Sequence, residues 1–401
     1  MSGAPDHLVE RLLRGEHTEQ RHALYDELRA HGDMLGPGIF PGRIALGYDL
    51  CREAMRKPEL QKLTTTRVGH MIVGLQAPAT DGWVQPVFVQ DDHHRRLKLL
   101  FASMFAAKQV RNHQEDFLAI AAEEVAAVPR DVPYELMHGV AIRVPGRFIG
   151  TTIGFADTDF DYIQPLVHDV AMGLEPWADQ ATLQRGADAA KAITVALNPL
   201  VRARTRTPTD DLLSLLIHDR HTGEALPKRS VTALCIMTYT AGYETTSCLI
   251  GNVVLMLGRV PGLFDQVKAD PSLVPNLVEE SMRYESPTHF APRVAVAPCD
   301  VLGHHFDAGD PLIITIGAAH HDTRTFDHPE QFDLHRPAGK VLTFAPGPAH
   351  CCGELLGRLE AEAVVRELLG RFDGVELLDE TIDWRPGALL HGPQTLNVQF
   401  R

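Results

Sequence analysis

Apolar residues recur at helical spacing over most of the chain and alternate only in short runs, so the pattern predicts mostly helices with a small β region. Residues 7–31 mix charged positions with Leu8, Leu12, Leu13, Leu24 and Leu28 and predict two surface helices. The Gly/Pro-rich run from Gly38 to Gly47, carrying Ile39, Phe40, Ile44 and Ala45, predicts short strands of a small sheet. Residues 60–90 lack periodicity and are punctuated by Gly69, Gly74, Pro78, Gly82 and Pro86. A loop of that length in a compact domain is functional or mobile. A helix then opens near Asp91 and runs through Phe105. Helical spacing returns over 112–128 and 134–148, the latter interrupted at Pro145 and Gly146. Residues 157–204 predict two or three helices limited by Pro165, Pro176 and Pro199.

The strongest single pattern is Pro227 to Leu257. Its first half, Val231 to Ala241, is apolar or small on nearly every face and predicts a buried helix. Roughly 30 residues at about 1.5 Å each would carry it across the whole domain. The stretch Ala241-Gly242-Tyr243-Glu244-Thr245-Thr246 breaks that pattern. A mid-helix glycine costs about 1 kcal/mol, and an unpaired buried carboxylate costs several. Local rules broken together inside a core element mark function. Further on, Leu277 to Tyr284 predicts a helix on which Glu280 and Arg283 share one face. Val294, Val296 and Val301 alternate, and Pro311 to Thr315 and Gln394 to Phe400 read as strands. No internal repeat, low-complexity linker or composition break divides residues 1–401, which predicts one domain.

Composition narrows the class. A hydrophobic share of 44% and a charged share of 22% are ordinary for a globular protein with a large core. Lys+Arg 38 against Asp+Glu 52 gives −14, which argues against nucleic acid as a partner. The first residues hold no apolar run, so neither a signal peptide nor a membrane anchor is expected and the expected location is cytoplasmic. Six cysteines show no disulfide framework. The pairs His304-His305 and His320-His321 are what 21 histidines produce by chance, and no metal is expected there. No P-loop, nucleotide-binding glycine turn or nucleophile elbow is present, which leaves flavin and nicotinamide to separate proteins.

The chemistry concentrates at Phe344-Ala-Pro-Gly347-Pro-Ala-His350-Cys351-Cys352-Gly353, a loop that opens into a helix from Glu354. A cysteine at a helix start feels the partial positive charge of unpaired N–H groups, which favours thiolate. Such a sulfur is a nucleophile, a redox centre or an iron ligand, and flanking glycines suit the third by letting backbone approach a flat cofactor. The stretch resembles the haem-binding loop of the cytochrome P450 family, with Phe344, Gly347, Cys351, Gly353, Leu356, Arg358 and Glu360 in register. Cys351 then takes the ligand position and Cys352 a variable one. Two positions depart from the family pattern: Ala345 replaces a glycine, and Ala349 replaces a His or Arg that bonds a haem propionate.

The resemblance implies a mainly α fold with a long central helix over haem b (iron protoporphyrin IX) and an axial thiolate that favours O–O cleavage. Residues 241–246 resemble the family's oxygen-binding motif. Ala241 and Gly242 would make room for dioxygen, and Glu244 with Thr245 would deliver protons, limiting leakage of hydrogen peroxide. His94, Lys98 and Arg293 take the propionate-anchoring positions, with Lys98 a looser anchor than the usual arginine because it lacks the planar fork. Glu280, Arg283 and Arg336 match a structural triad. Met237, Thr240, Ala241, Thr288, His289, Phe290 and Ala291, with Leu389 and Leu390 from the turn Ala388 to Gly392, would line a largely apolar substrate pocket. The implied activity is a monooxygenase that hydroxylates a moderate-sized small molecule with O2, drawing electrons from ferredoxin and ferredoxin reductase, in secondary metabolism. Ring coupling or desaturation by the same centre, and a non-catalytic haem-binding protein, are the alternatives.

Overall fold

The computed structural model describes residues 6–15, 21–62, 103–175, 178–218, 226 and 228–401. His94 and Lys98 lie outside the described residues, as does nearly all of the aperiodic 60–90 stretch. The helices that position the site are α1 (Asp6–Leu13), α2 (Arg21–Arg29), α3 (Tyr48–Arg56), α4 (Gln114–Ala126), α5 (Arg143–Ile153), α6 (Phe160–Met172), α7 (Gln180–Arg206), α8 (Lys228–Arg259), α9 (Val274–Tyr284) and α10 (Glu354–Arg371). The fold is mainly α with small sheets, as the periodicity predicts.

Helix α8 is the axis. Its 32 residues span about 48 Å at 1.5 Å each. Ile236, Tyr239 and Tyr243 enter a cluster with α5, α6 and α7, while Leu249, Ile250, Val253 and Val254 enter another with α4, α9 and α10. Apolar on both sides, the helix is held by packing all round. Among the described residues no single helix is long and apolar enough to cross a membrane.

Pro145, Pro165 and Pro199 fall differently from their expected role, and Pro176 lies outside the described residues. Pro145 sits in the first turn of α5, after a π-helical turn at Met137–Ala141, where a missing N–H removes little. Gly146 also continues the helix, and a Cβ there would come within 2.5 Å of Phe160 Cε2, so α5 and α6 meet closely because it is glycine. Pro165 and Pro199 lie inside α6 and α7. Pro199 denies a partner to the carbonyl of Val195, but that turn is at the surface, with Val195 67% exposed, where water can serve instead. Helix α7 starts at Asp179, whose carboxylate accepts from the N–H of Thr182 at 2.7 Å.

The main sheet has five strands: β1 (Met34–Leu35), β2 (Arg43–Ala45), β3 (Leu60–Lys62), β5 (Phe290–Ala295) and β8 (Pro311–Thr315), in the order β1-β2-β8-β5-β3. Among the described residues only β2 and β8 pair in parallel, with Ala45 opposite Ile314. Ile39 and Phe40, expected in a strand, form bends between Pro37 and Pro41, although Phe40 still reaches the core. Smaller sheets pair β6 (Cys299–Val301) with β7 (His304–Phe306), and β12 (Asn397–Phe400) with β4 (Pro133–Glu135) and β9 (Val375–Leu377). A further hairpin, β10 (Asp383–Trp384) with β11 (Pro393–Thr395), brings the turn 388–392 against Thr288, which bridges to Leu390.

Candidate active site

The loop before α10 is held by its own backbone. Cys351 N–H donates to the Phe344 carbonyl at 2.9 Å, and His350 N–H to that of Gly347 at 3.0 Å. Gly347 has φ +124°, and a Cβ there would lie 2.5 Å from the Met55 carbonyl oxygen at the end of α3. Ala345 has φ +51°, the left-handed region that an L side chain enters at about 1–2 kcal/mol. Replacing Ala345 by glycine is therefore expected to stabilise the protein by about 1 kcal/mol, measured as a raised urea midpoint at unchanged slope. Arg358 fastens the loop from below: it bonds Glu354 at 3.0 Å, pairs with Glu279 of α9, and its guanidinium lies 4.9 Å over the Phe344 ring.

Cys351 is exposed at the start of α10, with the Gly353 and Glu354 N–H groups directed to its sulfur. A Cβ on Gly353 would stand 3.8 Å from that sulfur. Desolvation outweighs the two N–H groups and raises the thiol above its ordinary range. Of the six cysteines only Cys351 and Cys352 are exposed.

Helix α10 passes beneath α8 at Gly357, where a Cβ would lie 3.4 Å from Thr246 Oγ1. That contact sets α10, which opens after Cys351, against the part of α8 that carries Thr245. Ala241 is exposed and Thr245 half-buried in an otherwise buried helix. Thr245 Oγ1 donates to the Ala241 carbonyl at 2.8 Å. Gly242 makes room for a neighbouring helix: its Cβ would stand 3.2 Å from Cδ1 and Cγ1 of Ile149 on α5. Glycine at this position therefore lets α8 pack closely on α5.

Arg293, on β5 opposite Lys62 and Leu312, is buried. One terminal nitrogen donates to the Pro292 carbonyl at 3.0 Å, while Nε and the other terminal nitrogen have no partner among the described residues. Desolvation lowers the guanidinium to about 10. Orphaned buried donors of this kind call for an anion, and a haem propionate meets the requirement. The unpartnered donors of Arg293 and the exposed sulfur of Cys351 therefore fit a haem. At the position before Cys351, His350 is committed to Glu354 at 3.0 Å.

The triad converges. Arg283, 1% exposed, forms a two-point pair with Glu280 at 2.8 and 2.9 Å, and Arg336 Nε joins the same carboxylate at 3.2 Å. Arg283 also donates to the carbonyls of His320, Pro329 and Gln331, tying α9 to the segment that leads into the cysteine loop.

The expected pocket positions divide. Met237 is half-buried, Thr240 is buried with Oγ1 donating to Ile236, and Thr288 and Leu389 keep some exposure. His289 instead turns to α2, bonding Arg21 at 2.8 Å and Tyr25 at 3.1 Å, and Phe290 packs among Leu8, Leu24 and Phe40. Ala291 is buried against Ala45 and Leu312. These three serve the sheet and the N-terminal helices, because a buried strand must feed both of its faces.

Sequence reasoning missed the partners of Glu244. Its carboxylate meets Arg385 at 2.5 Å and His168 Nδ1 at 3.3 Å. Glu175, also buried, accepts from the N–H groups of Ala388 and Leu389 at 2.8 and 3.1 Å and so holds the turn after Arg385. The only signal in the chain was the requirement itself, that a carboxylate in a buried helix needs a cation.

The family model for cytochrome P450 matches residues 178–391. The chain belongs to the cytochrome P450 family. This P450 is similar to the mycinamicin IV hydroxylase/epoxidase of Micromonospora griseorubida, 31% identical over 313 residues that cover 76% of this chain and 77% of the relative. It is similar also to the biotin biosynthesis cytochrome P450 of Bacillus subtilis, 28% identical over 387 residues, 96% of this chain and 97% of the relative. The structure of P450BioI in complex with an acyl carrier protein ligated to hexadec-9Z-enoic acid superposes with a TM-score of 0.86 at 25% identity, covering 96% of this chain and 99% of that one. P450 relatives are monooxygenases, several of them in secondary metabolism, and the family implies a haem cofactor.

Proposed function

We propose that this P450 hydroxylates a moderate-sized, largely apolar secondary metabolite, using haem b held by Cys351 and electrons from ferredoxin and ferredoxin reductase, as one cytoplasmic domain. What supports the reading is that the helix opening after Cys351 meets α8 at Gly357 and Thr246, next to the half-buried Thr245, and that the buried Arg293 keeps two donors without a partner among the described residues. When bound, haem supplies the reductive activation of O2 and the oxidising equivalent. The chain's own residues do the rest. Cys351 supplies the sulfur, Arg293 binds and orients a propionate, and Gly347 with Gly353 keeps the loop low enough for a flat group. Thr245 holds a hydroxyl at the helix surface, and Glu244 stands behind it as the proton source.

Ordinary oxygenation fits better than coupling or desaturation because the acid and the alcohol are both present. Thr245→Ala is expected to cut product formed per electron pair on the order of 10²-fold and to raise hydrogen peroxide correspondingly, read by paired product and peroxide assays. The reading as a whole is tested by a carbon monoxide difference spectrum followed by turnover with a surrogate ferredoxin and reductase. A thiolate-type Soret band and a product one oxygen atom heavier support it. A folded protein without that band rejects it. Substrates are screened by the spin-state shift of ferric haem, with free acids in one arm and thioesters on an acyl carrier protein, as in the P450BioI complex, in the other.

A further inference from the structure

We propose that helix α2 is an acid-released latch, held to the body of the protein by two stacked neutral imidazoles, His22 and His321, and let go when either takes a proton. Leu24 and Leu28 of α2 are buried, but its other contacts are cationic or aromatic. Arg21 bonds the His289 ring at 2.8 Å and the Tyr25 hydroxyl bonds it at 3.1 Å. Arg29 donates to the carbonyls of Ala318 and His321 at 2.6 and 2.9 Å. The His22 ring lies 3.8 Å from that of His321, tilted by 32°, and meets Tyr284 edge-on at 5.1 Å. His321 closes the short helix Ile316–His320.

The stack has no room for a charge. His321 Nδ1 lies 3.0 Å from the Gly317 carbonyl oxygen, so that nitrogen carries the hydrogen. Nε2 is then bare and buried, with no partner among the described residues. A proton there would create a donor with nothing to accept it. Arg21 and Arg29 face the pair from α2, Arg283 from α9 and His320 from the short helix. Tyr25 and Tyr284 stay protonated, because burial raises both phenols. The carboxylates that face His22 are already engaged, Asp26 with Arg29 at 2.5 Å and Glu285 with His391 at 2.7 Å. Burial above all, with Arg21 and Arg283 adding to it, holds His22 below the ordinary imidazole range; burial, His22 and Arg283 do the same for His321.

The sign follows. Each imidazole binds its proton more readily once α2 has left, so docking is complete above about pH 6.5 and is lost as the pH falls below it. One such group weakens docking by up to about 10-fold per pH unit and two by up to about 100-fold. His22 is half-buried, so the proton reaches it from solvent. Release would act on the segment beyond. The His289 ring is clasped by α2, while its N–H donates to the Leu389 carbonyl at 2.9 Å and its carbonyl accepts from Ile316 at 2.8 Å. Freed from Arg21 and Tyr25, that segment no longer steadies Thr288 or the turn bearing Leu389 and Leu390. The latch itself stands apart from the oxygenation reading, whereas its effect on the pocket rests on it.

The test is hydrogen exchange read by mass spectrometry on the haem-loaded full chain between about pH 7.5 and 5.5. Protection of α2 is taken relative to α7 in the same sample, which cancels the intrinsic pH dependence. Wild-type α2 is expected to lose about 10- to 100-fold in protection below pH ~6.5. His22→Phe keeps a ring on His321, and His321→Gln keeps a donor for the Gly317 carbonyl. Each should lose less than the wild type, and the double variant should stay flat. His305→Gln, on the exposed hairpin of β6 and β7, is the control and should follow the wild type. Carbon monoxide recombination after flash photolysis reads the pocket and should quicken in step with α2 in the wild type but not in the double variant. Wild-type α2 as protected in acid as at neutral pH, a double variant that opens like the wild type, or recombination that ignores α2 overturns the proposal. So does loss of the thiolate-type band before α2 opens, which would place the acid-sensitive step at Cys351. A wild type without that band at neutral pH would instead reject the haem-thiolate reading, so the two failures are told apart.

Discussion

Replacing Cys351 by alanine removes the thiolate-type Soret band from the carbon monoxide difference spectrum and lowers oxygenation by well over ~100-fold. That is more than the 10–100-fold that loss of a supporting group costs a metal site. The expectation is physical as much as it is family knowledge. Cys352 is exposed as well, but it stands one residue further along the turn, and the Gly353 and Glu354 N–H groups are directed to the Cys351 sulfur. Cys352→Ala is therefore the control and keeps the band. If the two variants behave alike, or if the pigment moves to Cys352, the assignment of the sulfur is wrong.

The second large effect is on stability. Glu280→Ala is expected to destabilise the protein by about 3–5 kcal/mol, read from urea unfolding followed by far-UV circular dichroism. The cost comes from what is left behind. Arg283 is 1% exposed, and without Glu280 its charge and that of Arg336 lose their shared carboxylate in a place water barely enters. The exposed pair Arg14–Glu10, at a similar distance of 2.8 Å, supplies the contrast. Glu10→Ala is expected to move stability by less than about 1 kcal/mol, because solvent screens the pair and replaces the lost contact. Equal effects at the two sites would mean that burial does not set the strength of the triad. Because Arg283 also binds the carbonyls of His320, Pro329 and Gln331, Glu280→Ala should loosen the cysteine loop and reduce haem retention as well.

Much of the architecture was legible along the chain. The central helix was expected at Pro227 to Leu257 and runs Lys228–Arg259. The strand at Pro311–Thr315 and the helix from Glu354 fall where the pattern puts them. These elements are long or strongly patterned, and burial enforces their period. The prolines misled because a proline is costly only where its missing N–H is needed. In the first turn of α5, or on the exposed turn of α7, it is not.

Ala345 shows the same division at the level of one residue. The chain announces that a glycine of the family pattern is missing, and the backbone shows what the substitution costs, a left-handed φ held by an alanine. His289 shows the opposite case. Its place beside the pocket segment suggested a substrate contact, yet Arg21 and Tyr25 of α2 claim the ring from the other side of the strand.

By itself the sequence determined the helical class, the order of the elements, the cysteine-bearing loop that opens into the helix at Glu354, and the fact that a carboxylate lies inside the longest buried helix. Each of these is a local property, carried by spacing between near neighbours. Tertiary structure alone decided how that carboxylate is satisfied. Among 38 lysines and arginines, the cation that reaches Glu244 is Arg385, 141 positions away, with His168 supplied from a third element. Spacing along a chain says that a buried charge must be paired, but only the packing of helices brings distant side chains within the few ångströms over which pairing acts.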